Sequence, residues 1–137
     1  MVFGTFDGLH PGHVNFLKQA KKRGDWLLAV VARDETVFKI KGCFPQKKEK
    51  ERLADILRSG IADKAILGGK RNPYSVIKKI KPDVICLGYD QKSFSLGLPR
   101  FLKESKIKAK ICRLKPYKPK IYHSSIINKK IKNYAGH

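Results

Sequence analysis

Ten residues near the amino end, Gly4-Thr5-Phe6-Asp7-Gly8-Leu9-His10-Pro11-Gly12-His13, constrain this chain more than any other stretch. A short apolar run, Met1-Val2-Phe3, precedes them and reads as a strand. Val14-Asn15-Phe16-Leu17-Lys18-Gln19-Ala20 follows and reads as a helix. Pro11 suits the first helical position, where a missing N–H is no loss. Strand, glycine-bearing turn and helix start together make an anion site, because the first helical turn presents unpaired N–H groups and a partial positive charge. His10 and His13, three apart, project from one face of that turn. The pair could instead cap the helix or sit satisfied in the core, or form half of a zinc site, for which no third or fourth ligand is evident in the sequence.

The rest of the chain alternates short apolar runs with amphipathic stretches. Strands are expected at residues 1–3, 26–32, 64–67, 84–87 and 109–114. Helices are expected at 11–23, 47–59, 74–79, 98–104 and 124–133. In the second helix Leu53, Ile56 and Leu57 should form the buried stripe; in the third, Val76, Ile77 and Ile80. Near-continuous apolar strands alternating with helices predict an α/β fold with a parallel sheet covered on both faces. The 137 residues suffice for one domain, 1–137, with its own core.

Charge sets the partners. There are 31 Lys and Arg against 11 Asp and Glu, a net +20. From Arg100 onward stand twelve basic residues and one acid, Glu104. Such a field concentrates polyanions: nucleotides, phosphoesters or nucleic acid. A lysine-rich surface that merely solvates the fold accounts for the same pattern. The longest apolar run is far too short to span a bilayer and no signal peptide stands out, so no membrane partner is expected. Cys43, Cys86 and Cys112 are scattered and odd in number, which suits free thiols in a reducing cytoplasm.

The segment Gly4–His13 resembles the H-x-G-H signature of the nucleotidyltransferases. These join a nucleoside monophosphate to a phosphate-bearing acceptor and release pyrophosphate. The resemblance implies a Rossmann-like, five-stranded HUP-type sheet with the nucleotide at the carboxyl ends of the strands. It gives His10 and His13 the stabilisation of charge on the triphosphate, and Gly4, Thr5, Phe6 and Gly12 the nucleotide-binding turn. It aims Asp7 at the acceptor phosphate or its metal, with Arg33 and Asp34 beside it. It places Lys39 or Lys41 in a mobile loop that reaches the phosphates. It brings Gly88 and Asp90 near the nucleoside and has Ser124 and Ser125 close over it. An arginine often precedes that serine pair in the family; this chain has Lys118 and Lys120 there instead.

Within the family, Val31-Ala32-Arg33-Asp34, Ala65-Ile66-Leu67-Gly68 and Leu87-Gly88-Tyr89-Asp90-Gln91 look most like the archaeal-type FAD synthetases. The resemblance therefore implies transfer of AMP from ATP to FMN, with Mg²⁺ or another divalent cation carried by the phosphates, and commonly a homodimer. Archaeal-type enzymes often carry two cysteines near the carboxyl end, where this chain has only Cys112. A CTP-dependent cytidylyltransferase acting on glycerol 3-phosphate is the alternative. A basic nucleic-acid-binding module that has lost activity is the reading from another class. A flat isoalloxazine calls for an aromatic wall, for which Phe38, Phe44, Tyr74, Phe94 and Phe101 are candidates.

Overall fold

The computed structural model describes residues 1–89 and 91–117. The order is β1 (Val2–Gly4), α1 (Pro11–Lys21), β2 (Leu28–Val31), α2 (Asp34–Lys41), α3 (Glu49–Ser59) and β3 (Lys64–Leu67). Then come α4 (Ser75–Ile80), β4 (Val84–Leu87), α5 (Lys92–Leu96), α6 (Leu98–Glu104) and β5 (Lys110–Arg113). The five strands form one sheet in the order β3-β2-β1-β4-β5, every pairing parallel. Among the described residues, no helix is long and apolar enough to cross a membrane.

Burial on both faces explains the unbroken apolar strands. Side chains of a strand alternate between faces, so Val2, Ala29, Val31 and Cys86 meet Leu17, Ala20 and Ile56 of α1 and α3. Met1, Phe3, Leu28, Val30, Ile85 and Leu87 meet Val76, Ile77, Leu98 and Leu102 of α4 and α6. Fully burying one such aliphatic side chain contributes about 1.5–3 kcal/mol. Strand β5 is an edge of the sheet among the described residues, and of its four positions only Cys112 is half-buried.

Four expectations need correction. Strand β2 begins at Leu28, and Trp26 stands exposed before it. In α3 the buried positions are Arg52 and Ile56, while Leu57 is exposed. Ile80 of α4 is exposed as well. The mobile loop expected around Lys39 and Lys41, in residues 36–42, instead falls largely within helix α2, Asp34–Lys41. Its acids Asp34 and Glu35 suit the positive end of the helix, and Gly42 closes it at φ 76°. Only Val37 of that helix is buried, so its apolar stripe was too thin to announce a helix. Helix α5 was not expected at all. The helix expected at 124–133 lies outside the described residues, as do Asp90, Ser124 and Ser125.

Candidate active site

A cavity of about 450 Å³ opens at the carboxyl ends of the strands. That volume lies within the ordinary range for small-molecule sites. The strand order explains its place. The chain winds outward from β1 through β2 to β3, then crosses back to β4, so the connections from β1 and β4 leave in opposite directions. A parallel sheet carries its ligand crevice at such a switch point.

The motif turn lies over the end of β1. His10 is the N-cap of α1, with extended backbone, and its Nδ1 accepts the Gly12 N–H at 3.1 Å. A side-chain acceptor at this position satisfies one of the first-turn donors. Because Nδ1 accepts, the neutral ring carries its proton on Nε2. The His13 ring stacks on that of His10, centroids 3.7 Å apart. Phe6 stands edge-on to His13 at 5.7 Å. Phe6 is buried and holds a positive φ of 53°, a conformation costly for a residue with a Cβ. That conformation folds its ring back over Gly4. A Cβ on Gly4 would lie 2.7 Å from the ring, so any larger residue must displace it.

Gly4, Thr5, Phe6, His10, Gly12, His13, Arg33, Lys41 and Gly88 all line the cavity. The resemblance had named each of them, and the fold draws them together from three strand ends. Arg33 donates from Nε to the Gly68 carbonyl at 2.7 Å and pairs through Nη1 with Glu49 at 3.3 Å. Lys41 reaches the cavity from the last turn of α2, whereas Lys39 is exposed and not part of the lining.

Asp7 and Asp34 hold the walls. The two carboxylate oxygens of Asp7 accept the backbone N–H groups of Gln46 and Lys47 at 2.8 and 2.9 Å. They thereby stitch the motif turn to the segment before α3. Asp34 pairs with Arg52 at 2.7 Å.

Arg52 itself was missed. It is 0% exposed, and its guanidinium donates to the carbonyls of Lys47, Thr5 and Ala32 at 3.0, 2.8 and 2.7 Å, besides Asp34. Thr5 follows β1 and Ala32 follows β2, so one side chain ties both strand ends to α2 and α3. Arg52 falls four residues before Ile56, on the buried stripe of α3. A charge on an apolar stripe was the signal in the sequence.

Aromatic walls complete the cavity: Phe16, Tyr89, Phe94 and Tyr117. Of the expected aromatics, Phe94 is among them. Tyr74 and Phe101 pack against the core on the α4 and α6 face. Burial raises the Tyr74 phenol above its ordinary value of 10.0, and its O–H donates to the Phe94 carbonyl. Phe38 and Phe44 stack on each other at 4.6 Å, exposed and outside the lining. Cys86, buried beneath the sheet, has its thiol raised above 9.0 by desolvation, which suits packing and not nucleophilic attack. Among the described residues no group of three His, Cys, Asp or Glu side chains is placed to hold a metal ion.

Paired imidazoles at a helix start, over a crevice at the carboxyl edge of a 3-2-1-4-5 parallel sheet, define a nucleotide-handling α/β protein. The cytidylyltransferase-like family model matches residues 1–130, and the chain belongs to that family. It is 40% identical over 136 residues to the FAD synthase of Thermoplasma volcanium, covering 99% of this chain and 95% of that protein. With the FAD synthase of Ferroglobus placidus it shares 44% over 113 residues, 82% of this chain and 72% of the relative. A solved Thermoplasma volcanium structure, described as a lipopolysaccharide core biosynthesis protein, is 42% identical with a TM-score of 0.80. The match covers 85% of this chain and 95% of that one. Pantoate-beta-alanine ligase from Francisella tularensis has a TM-score of 0.58 at 16% identity, covering 98% of this chain and 69% of that one. At that identity the likeness concerns the fold alone.

Proposed function

We propose that this protein is an FMN adenylyltransferase, which transfers AMP from ATP to FMN to give FAD and pyrophosphate. The carrying observation is the cavity itself. One recess brings the His10–His13 pair, Arg33 and Lys41 together with aromatic side chains at the carboxyl edge of the sheet. The FAD synthases to which the chain is 38–44% identical support the choice of substrates.

The reaction is an in-line displacement. A terminal phosphate oxygen of FMN attacks the α-phosphorus of ATP. The bond from that phosphorus to the bridging oxygen breaks, and pyrophosphate leaves with the electron pair. No protein nucleophile is required; the protein positions the phosphates and offsets charge as it moves. His10, held by Gly12 at Nδ1, offers Nε2–H to a phosphate oxygen. His13, stacked on it, lies beside the same oxygens, and the positive end of α1 adds a fixed dipole. Lys41 and Arg33, which line the same cavity, supply cationic charge. Asp7 serves the acceptor side indirectly, by fixing the turn that carries the histidines. A divalent cation such as Mg²⁺ would be held chiefly by substrate phosphates, as that ion commonly is, and would supply further neutralisation of charge.

Purified protein incubated with ATP and FMN should form FAD and pyrophosphate in equal amounts. Turnover of CTP with glycerol 3-phosphate, and none of ATP with FMN, would overturn the assignment in favour of the cytidylyltransferase alternative. Steep, salt-sensitive RNA binding with no pyrophosphate from either pair would point to the inactive module.

A further inference from the structure

The two central strands stop pairing earlier than they need to. Strand β1 pairs with β2 at three successive positions, and Ala32 N–H then continues the ladder to the Gly4 carbonyl at 2.9 Å. On its other side β1 pairs with β4 at one position, Val2 with Cys86. There the Cys86 N–H donates to the Met1 carbonyl at 2.9 Å. In a parallel ladder the next rung lies two residues on, between the Gly88 N–H and the Phe3 carbonyl. That rung is not direct. Gly88 N–H donates to Oε1 of Gln91 at 2.8 Å, and Nε2 of Gln91 donates to the Phe3 carbonyl at 2.6 Å. One carboxamide stands in for one backbone hydrogen bond, with its donor and acceptor matched to the two groups it separates.

We infer that Gln91 is a positioning residue: its side-chain amide wedges β1 and β4 apart at the floor of the cavity and sets the width of the crevice that admits the nucleoside of ATP. The inference rests on the proposed adenylyltransferase activity. Three observations carry it. Gln91, Gly88 and Phe3 all line the cavity. The opening falls at the switch point, beside the strand that feeds the histidine turn. A nucleoside attached to a triphosphate at α1 would lie in the cavity that this gap lines. Finally, the wedge leaves neither backbone group unsatisfied, so the gap is stable without a ligand; an unpaired buried N–H or carbonyl would favour closure.

The test compares Gln91→Glu and Gln91→Met with wild type. A glutamate still accepts from Gly88, but as a carboxylate it sets an acceptor against the Phe3 carbonyl. Methionine keeps the length and removes both bonds. In each variant the KM for ATP should rise about tenfold or more, while kcat and the KM for FMN stay within about threefold. An unchanged KM for ATP in both variants overturns the inference, and so does a fall in kcat alone. If neither variant folds, hydrogen exchange in the wild type decides. Gly88 N–H, beyond the last direct rung, should be protected; exchange at the rate of an open loop overturns the wedge. The exchange readout needs no substrate, so it stands apart from the activity. Wild-type protein that makes no FAD sinks the functional reading, whereas an unprotected Gly88 sinks the wedge.

Discussion

The two flanks of β1 are built to opposite ends. Toward β2 the ladder runs to its end and is then locked. Arg52 binds the carbonyls that follow both strands, and Asp7 anchors the motif turn to the segment before α3. Toward β4 the ladder is cut short and a side-chain amide keeps it open. A nucleotidyl transfer needs both properties within a few residues. The charged groups must be preorganised, because reorganising them during the reaction would forfeit their effect. The ligand must still have a way in. Placing rigidity on one side of a strand and access on the other meets both needs.

The closed flank should show the largest effect when broken. Arg52→Met leaves Asp34 and three backbone carbonyls without their donor, and should lower the unfolding free energy by about 3 kcal/mol or more. Urea denaturation measures it. An effect under about 1 kcal/mol would mean that the strand ends hold themselves.

His10→Ala and His13→Ala should each cut kcat about 10²–10³-fold, the scale of losing one transition-state donor. Their circular dichroism should match wild type. Of the two, His10→Ala should also lower the melting point slightly, since it removes the cap on α1; such a loss is about 0.5–2 kcal/mol. Wild-type turnover in both variants would remove the histidines from the mechanism.

Gly4→Ala sharpens the comparison at the strand they share. The added methyl meets the Phe6 ring, so the variant should lose about 1–3 kcal/mol and shift the ring packed against His13. Pairing it with Phe6→Leu should recover part of the stability, as a double-mutant cycle would show.

The smallest effect lies away from the cavity and serves as a control. Asp63 accepts the Leu27 N–H at 2.7 Å and pairs with Lys21; the backbone bond first, then the lysine, holds its carboxyl below the ordinary 3.8. Its folded value is the lower one. The stability it contributes is therefore present above about pH 3.8 and lost as pH falls through the folded value. Asp63→Asn should flatten the acid limb of the melting curve below that pH and leave turnover at neutral pH unchanged. A change in neutral turnover would show that this remote site reaches the cavity.

Much of this was written in local chemistry. Proline at the first helical position, two histidines three apart and glycines in the turn declare the strand-turn-helix unit within ten residues, because caps and turns are short-range. Runs such as Leu28-Ala-Val-Val declare a strand buried on both faces. Helix α2 was illegible because one buried residue, Val37, makes no period, and Lys39-Ile40-Lys41 reads as alternation.

The linear order of residues determined which groups carry charge, which stretches are strands, and where a helix start meets a pair of imidazoles. Tertiary structure alone decided which distant carbonyls Arg52 binds, that Asp7 grips a backbone 39 and 40 residues away, and that Gln91 replaces a rung between β1 and β4. The physical reason is range. Propensity and capping act over a few neighbouring residues, whereas the partner of a buried donor is settled by whichever distant carbonyl the packed sheet brings to it.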